Sequence, residues 1–274
     1  MPGFRHILFP VDFSDRCATV RPFLRHLANK SGAKVTLLHT FEEAHGLCGA
    51  SEGAFAAVFD VTQMRDESCT MLGDFFPPEP GDTFEIARSA VCGDPAQAIV
   101  DFARQNQVDL IMLPTRGHGI FHRLLLGSVT SKILESAPCA VWTAAHTEDP
   151  TLPSHAKCRT IVLAVSGAPE EARTIRRAAE VCEAFSEKLL LLHGLKNLAG
   201  AEAARAMIED LQRTAQTNLE VAIEPGDPVD AVPRFAGRQN ADLLILGPGA
   251  LRAKAQEIIR NARCPVLSLP VLNL

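Results

Sequence analysis

An internal repeat constrains the fold of this chain more than any other feature of its sequence. Five short segments recur in the same order: ILFPV (7–11) as IVLAV (161–165), LLH (37–39) as LLH (191–193), GDP (93–95) as GDP (226–228), DLIML (109–113) as DLLIL (242–246), and APCAV (137–141) as ARCPV (262–266). The offset is 154 residues for the first two segments, 133 for the next two and 125 for the last. The 274 residues therefore contain two copies of one unit, and the second copy is shorter by 21 residues at one place and by 8 at another.

Each copy has the pattern of alternating strands and helices. In the first copy the apolar runs of strand length, suited to burial on both faces of a sheet, are ILFPV, VTLLH, FEIARSAV, LIML and AVWTA. Amphipathic helical patterns lie between most of them, at Ala18–Asn29, Pro95–Gln105 and Val129–Ser136. Each GDP triplet places an acid and a proline at a helix start. The alternation predicts right-handed crossovers and a parallel sheet in each copy.

Two segments interrupt this pattern. Residues 41–82 are rich in Gly, Ala and Pro, and we predict one covering helix among loops there, within 54–76. Residues 143–158 form a polar, proline-containing linker. We therefore predict two domains, at 1–148 and 157–274.

Composition excludes several classes of protein. Hydrophobic residues make up 47% of the chain, which is enough for a core. The formal net charge of −5 argues against a nucleic-acid partner, which would favour a basic stripe. Apolar runs are far shorter than the roughly 18 residues of a membrane span, and the N-terminal segment lacks a signal-peptide layout, so we expect no membrane partner. The eight cysteines lack metal-ligand spacing, so we expect a cytoplasmic protein with no metal site.

Candidate ligand-binding residues follow the strands, because ligands of such sheets bind at the carboxyl ends of strands. Asp12 follows the first strand, Thr40 ends the second, and Pro114 follows the fourth and opens a loop that ends at Gly127-Ser128. Glycines, a hydroxyl and a helix N-terminus at Val129 together suit an anion. The loop also carries cationic or titratable groups, which are Arg116, His118, His122 and Arg123. A plain strand-to-helix connection is the alternative, since no Walker A motif is present.

The segments ILFPVDFSD, VTLLH, GDPAQAIVDFA, VDLIML, GHGIFHRLLLGS and APCAV, in this order, resemble the landmarks of the universal stress protein family in its tandem two-domain form. The resemblance covers the first copy and, more weakly, the second. It implies an α/β fold of two tandem Rossmann-like domains of the adenine nucleotide α-hydrolase type, each a five-stranded, mainly parallel sheet flanked by helices. Nucleotide-binding members carry G-x2-G-x9-G-[ST]. Gly117 and Gly127-Ser128 match this motif, and Pro114 stands where the first glycine would be.

The resemblance also implies a ligand, an adenine nucleotide such as ATP, with or without Mg²⁺, in the first domain. The residues implied around the adenosine are Pro10, Asp12, Thr40, Leu113 and Thr115, and those around the phosphates are Gly117, Gly127, Ser128 and Val129. A carboxylate at a strand end suits a ribose hydroxyl, which favours that role for Asp12. The alternative is a cap on the next helix, for which Asp12, Ser14 or Asp15 is suitable.

The second copy has lost these features. Ser166 replaces Asp12, Ala164 replaces Pro10, and the phosphate loop is reduced to Gly247-Pro248-Gly249. We expect that this copy does not bind ATP in the manner of the family. It serves instead as a scaffold that completes a pseudo-dimer within the chain, or holds a pocket adapted to another ligand. The fifth strands are expected to pair across the pseudo-two-fold axis, and a homodimer through the same faces stays open.

We therefore predict an ATP-binding regulatory module of the stress-response type rather than an enzyme. No nucleophile, metal cluster or placed general base is evident, although slow ATP hydrolysis or autophosphorylation at Ser128 stays open. The alternative is a nucleotide-free interaction scaffold that recruits a protein or small-molecule partner. The nucleophile-elbow pattern GxSxG at 49–53 lies in a polar loop without a preceding strand, so we do not assign it a hydrolase role.

Histidines and cysteines have simpler interpretations. His39 and His193 end equivalent strands, which predicts a shared structural role such as a bond to a neighbouring backbone group. Cys139 and Cys264 recur in equivalent turns, so packing explains both. Cys48 and Cys69 lie in the segment that only the first copy has and are candidates for exposed thiols.

Overall fold

The computed structural model describes residues 4–41, 61–114, 126–144, 158–196 and 198–270. The elements of the first half are β1 (His6–Pro10), α1 (Asp15–Ser31), β2 (Lys34–Phe41), α2 (Val61–Phe75), β3 (Ile86–Cys92), α3 (Pro95–Gln105), β4 (Leu110–Leu113), α4 (Ser128–Ser136) and β5 (Ala140–Thr143). Those of the second half are β6 (Cys158–Val165), α5 (Glu171–Phe185), β7 (Ser186–Leu195), a 3-10 turn (Leu198–Gly200), α6 (Ala201–Ala215), β8 (Glu220–Pro225), α7 (Pro228–Arg238), β9 (Leu243–Leu246), α8 (Ala250–Ala253), α9 (Ala255–Asn261) and β10 (Val266–Ser268).

Within the described residues, ten strands form one sheet in the order β3-β2-β1-β4-β5-β10-β9-β6-β7-β8. The strands of each half follow the same order, with the third strand outermost, then the second, first, fourth and fifth. The strand pairs inside each half are parallel. The predicted fold class, a five-stranded parallel sheet with flanking helices in each half, is confirmed.

The two half-sheets join through their fifth strands. β5 and β10 pair antiparallel, with Leu267 opposite Trp142, Val266 opposite Thr143 and Ser268 opposite Val141. The Thr143 hydroxyl also donates to the carbonyl of Val266, at 3.3 Å between oxygens. The pairing predicted across the pseudo-two-fold axis is confirmed.

Helices cover both faces of this sheet and form two apolar layers. On the first face α3, α4, α7 and α9 contribute buried residues such as Ile133 and Ile258. On the second face α1, α2, α5 and α6 contribute residues such as Leu24 and Ile175. Each layer contains residues from both halves, so the core continues across the join.

Hydrogen bonds repeat along with the strands. Asp109 accepts backbone N–H bonds of 2.8 and 3.1 Å at the start of β1, and Asp242 accepts bonds of 2.8 and 2.9 Å at the start of β6. Asp94 and Asp227 cap α3 and α7 by accepting backbone N–H bonds of 3.0 Å. These N–H bonds lower the pKa of both capping carboxyl groups. The repeat therefore preserves the bonds that start strands and helices as well as the apolar pattern.

Element bounds differ little from those predicted. α3 has the predicted bounds, whereas α1 begins three residues before Ala18, because Ser14 caps it there. The helix predicted within 54–76 corresponds to α2, whose Leu72 is fully buried in the second layer. Residues 42–60 and most of the linker, 145–157, lie outside the described residues.

Side chains of the second half also donate hydrogen bonds to backbone carbonyl groups of the first half. Arg252 donates to the carbonyl of Ala137 at 2.8 Å and to that of Cys139 at 3.5 Å. Gln256 donates to the carbonyl of Ser131 at 3.2 Å. Burial lowers the pKa of the Arg252 guanidinium, which marks it as a desolvated cation at this join.

The Arg252→Ala variant should lose about 1–3 kcal/mol of unfolding free energy, because two partly buried carbonyls would lose their donor. Urea denaturation measures this loss. Arg260→Ala, on the exposed side of α9, is the matched control and should change stability by less than about 0.5 kcal/mol. Equal effects of the two substitutions would show that Arg252 does not hold the halves together.

Candidate functional site

The strand order of the first half reverses direction at β1 and β4. These strands are neighbours in the sheet, but the chain leaves them toward opposite faces, because α1 packs on the second face and α4 on the first. Such a topological switch point is where ligands bind in open parallel sheets.

The structure brings the predicted residues that it describes to this edge. Pro10 ends β1 and Asp12 follows it, Thr40 is the next-to-last residue of β2, Leu113 ends β4, Gly127 caps α4, and Ser128 and Val129 begin it. Thr115 and Gly117, together with Arg116, His118, His122 and Arg123, lie outside the described residues. Four separate stretches of chain therefore meet at one end of the first half-sheet.

Asp12 organises the turn that leaves β1. Its Oδ1 atom accepts bonds from the Ser14 backbone N–H at 3.0 Å and from the Ser14 hydroxyl at 2.6 Å. Ser14 Oγ in turn accepts the N–H of Cys17 at 3.2 Å and so caps α1. Of the three candidate caps, Ser14 has the role, and Asp12 orients it from the strand end.

Phe13, which sequence analysis missed, directly follows Asp12 and packs against the second apolar layer. Its backbone has φ +60°, a left-handed conformation that is uncommon for a bulky residue. Its ring lies 4.7 Å from the His39 ring and 5.8 Å, edge on, from Phe75, centroid to centroid. The repeat could have indicated this left-handed conformation, because the equivalent residue of the second half is Gly167, at φ +95°.

His39 stabilises the same strand end. Its Nδ1 donates to the carbonyl of Val11 at 2.8 Å, and in the second half His193 Nδ1 donates to the carbonyl of Val165 at 3.1 Å. The predicted shared structural role of the two histidines is confirmed.

Arg21 holds Phe75 of α2 beside Phe13. The Arg21 guanidinium donates to the carbonyl of Phe75 at 2.6 Å and lies 5.0 Å from the centroid of its ring. The described helix of the segment unique to the first half thus packs beside the end of β1 and covers the second face of the sheet, as predicted.

The N-terminus of α4 faces the same end of the sheet. Gly127 caps this helix at φ −60° and ψ 147°, and no side chain caps it among the described residues. Thr130, in the first turn, donates to the carbonyl of Pro114 at 3.4 Å and so ties α4 to the end of β4. N–H groups in the first turn of an uncapped helix attract anions.

In the second half, a carboxylate fills the equivalent position. Glu171 is fully buried and accepts the backbone N–H bonds of Ser166 at 3.0 Å, Gly167 at 2.7 Å and Ala168 at 3.0 Å. These residues follow β6 as Asp12 follows β1. Gly247, at the end of β9, lies so close that a Cβ atom there would be 2.7 Å from Glu171 Oε1. Glu171 therefore occupies the switch point between β6 and β9.

Sequence analysis did not find Glu171, because its counterpart in the first half carries no charge. That counterpart is Cys17, which is fully buried and donates to the carbonyl of Pro10 at 3.6 Å. Burial raises the pKa of the Cys17 thiol to about 12. Burial also raises the pKa of the Glu171 carboxyl group, and the three backbone bonds offset only part of that rise.

Some of the remaining predicted positions are described by the structure, and others are not. Cys139 and Cys264 are buried, in agreement with packing, and Cys69 is half-buried. Cys48 and the GxSxG pattern at 49–53 lie outside the described residues. In the described part of the chain, no cluster of three potential metal ligands is found, and no helix has the length and apolar character needed to cross a membrane.

Comparison with known proteins identifies the family of this chain. The model of the universal stress protein family matches residues 3–144. The chain belongs to the universal stress protein family. A universal stress protein of Thermus aquaticus is 28% identical over 141 residues, which are 50% of this chain and 96% of that protein. One from Methanothermobacter thermautotrophicus is 43% identical over 78 residues, 28% of this chain and 49% of that protein.

Solved structures extend the likeness to the whole chain. A universal stress protein from Archaeoglobus fulgidus superposes with a TM-score of 0.71 at 18% identity, covering 98% of both chains. One from Pseudomonas aeruginosa has a TM-score of 0.65 at 16% identity and covers 98% of this chain and 94% of that one. At such identities the likeness shows the fold, and the two halves of this universal stress protein share it.

The buried Glu171 should make stability depend on pH. Because folding raises its pKa above the usual 4.5, the folded state holds the proton more tightly than the unfolded state does. Stability should therefore fall as pH rises from about 4.5 through the folded-state pKa, by about 1.4 kcal/mol for each unit of pKa difference. In Glu171→Gln this decline should be absent, as urea denaturation across pH would show.

Glu170→Gln, a substitution at the exposed neighbour, is the control and should keep the pH profile of the original chain. If Glu171→Gln and the original chain differ by the same unfolding free energy at every pH, the carboxyl group does not titrate in this range.

Proposed function

We propose that this protein is a regulatory, stress-response module that binds one adenine nucleotide, ATP with or without Mg²⁺, in its first half. One observation carries the proposal. Four stretches of the first half end at the switch point between β1 and β4, whereas the Glu171 side chain occupies the equivalent switch point of the second half. The two halves thus share a fold and differ in the place where ligands of such folds bind.

Each residue of the first site has a role that suits its chemistry. In this proposal the Asp12 carboxylate, after β1, accepts a ribose hydroxyl, and Pro10, Thr40 and Leu113 lie at the same ends of β1, β2 and β4. The Gly127 and Ser128 region offers the N–H groups and the dipole of α4 to the phosphates. In this proposal Thr115, Gly117 and Val129 complete the site, as the family motif implies.

The second half has no place for a phosphate in this proposal. The backbone N–H groups after β6 already donate to the Glu171 carboxyl group, whose side chain fills the space beside Gly247. We assign residues 1–148 to the nucleotide-binding domain and residues 157–274 to a domain that completes the pseudo-dimer through the β5–β10 pair.

We propose binding rather than catalysis, and action in the cytoplasm. Among the described residues, no group of metal ligands supports hydrolytic chemistry, and the site residues suit contacts with ribose and phosphate. Buried cysteine thiols such as Cys17 and Cys139 are typical of proteins in reducing compartments. Nucleic acid and membranes are not partners in this proposal, and a homodimer would use faces outside the β5–β10 join.

Isothermal titration calorimetry with Mg-ATP should give one binding site per chain, because Glu171 occupies the switch point of the second half. When the purified protein is denatured and analysed by mass spectrometry, it should release an adenine nucleotide. Two equivalents of ATP per chain would contradict the assignment of Glu171. No released nucleotide, together with no heat in millimolar Mg-ATP, would overturn the function and favour a nucleotide-free scaffold that recruits a partner.

The Gly127→Val variant should bind ATP at least about tenfold more weakly, because the branched side chain would block the approach of phosphate to α4. The φ of −60° at Gly127 permits valine, so the fold should persist. Gly200→Val is the matched control, since Gly200 also caps a helix at negative φ and a Cβ there meets nothing closer than 3.9 Å. Unchanged affinity in Gly127→Val would move the phosphate site away from α4.

A further inference from the structure

A cavity of about 360 Å³ lies between α1 and α5, on the second face of the sheet. It exists because α4 and α9, the helices that precede β5 and β10, pack on the first face. The floor between α1 and α5 is therefore the join of the two halves, where Trp142 and Leu267 pair. A volume in this range suits a small organic ligand.

We propose that this cavity binds a small amphipathic carboxylate, with its apolar body against Trp142 and its charged head group at Arg177 and Arg5. The cavity is distinct from the switch point at the carboxyl ends of β1 and β4, because Pro10, Asp12 and Leu113 do not line it and its lining comes from both halves of the chain. The proposal is therefore independent of nucleotide binding.

The walls suit an apolar body. The Phe23 ring stacks on the Trp142 indole, with centroids 4.8 Å apart and planes 13° from parallel. Leu27 of α1 and Ala178 of α5 face each other across the cavity. Burial raises the pKa of the Cys139 thiol to about 12, so this lining residue stays protonated and behaves as a small hydrophobic group.

The rim suits an anionic head group. Arg5 and Arg177 are exposed lining residues, and neither guanidinium has an acceptor in the described part of the chain. Asp109 is the one carboxylate among the described lining residues, and both its oxygens already accept backbone N–H bonds, from Arg5 at 2.8 Å and His6 at 3.1 Å. His26 adds a titratable ring to the lining. The charge at the cavity mouth is therefore complementary to a carboxylate.

An unpaired donor in the floor points to a ligand independently of charge. Trp142 is 2% exposed, and its indole N–H has no acceptor among the described residues. Buried donors without acceptors are rare in proteins. A hydroxyl or carbonyl oxygen along the apolar body of the ligand would supply the acceptor; decanoate has none and tests the apolar body and the head group alone.

The same tryptophan makes the test direct. Trp142 is the one tryptophan of the sequence, which contains no tyrosine, so indole fluorescence reports on this cavity alone. Titration with decanoate, below its micelle concentration, should change that fluorescence in a saturable way, and calorimetry should give the same affinity. Decylammonium, which has the same chain and the opposite charge, should bind at least about tenfold more weakly.

Variants test the head-group contact and the apolar cavity separately. Arg177→Glu should weaken decanoate binding at least about tenfold, whereas Arg173→Glu, an exposed position on the same helix, should not change it. Ala178→Phe should abolish binding of both probes by filling the cavity, with circular dichroism as the check on folding.

Three results would overturn the proposal: no fluorescence change and no heat with decanoate, equal affinity for decylammonium, or equal effects of the two arginine substitutions. Decanoate binding in a protein that fails to bind ATP would leave this proposal standing and reject the nucleotide-binding function alone.

Discussion

The antiparallel pair of β5 and β10 is the interaction on which the rest of this structure depends. Strands of four and three residues, with Trp142 opposite Leu267, turn two half-sheets into one and make both apolar layers continuous. Without the pair, each fifth strand would present an open edge, which is a site for unwanted association. Because α4 and α9 both pack on the first face, the same pair leaves the second face open between α1 and α5.

The difference between the halves lies in single residues at equivalent strand ends. At the end of β1, Asp12 bonds to Ser14, and Phe13 adopts a left-handed conformation with its ring against His39. At the end of β6 the turn contains Gly167, and Glu171 accepts the bonds that such a turn offers. The same backbone fold thus has an aspartate at the strand end in one half and a buried glutamate side chain in the other.

Much of this could be predicted from the repeat and from apolar periodicity. Local patterns that burial enforces predict the parallel half-sheets, the bounds of α3 and the helix caps at Asp94 and Asp227. The β5–β10 pair could be expected because the repeat makes the two fifth strands equivalent. Glu171 and the cavity could not be predicted, because both arise where elements distant in sequence meet. Glu171 replaces the small buried Cys17, and only the fold shows that its side chain reaches back to β6.

The fusion of the two halves in one chain has a consequence for how such a protein can change. In a symmetric dimer of identical subunits, every substitution alters both copies of a site at once. Here each half is encoded separately, so the second half could acquire Glu171 while the first kept its own strand end. Dilution cannot separate the halves either, since the tether keeps the effective concentration of one for the other constant. The join through β5 and β10 is therefore independent of how much of the protein is made.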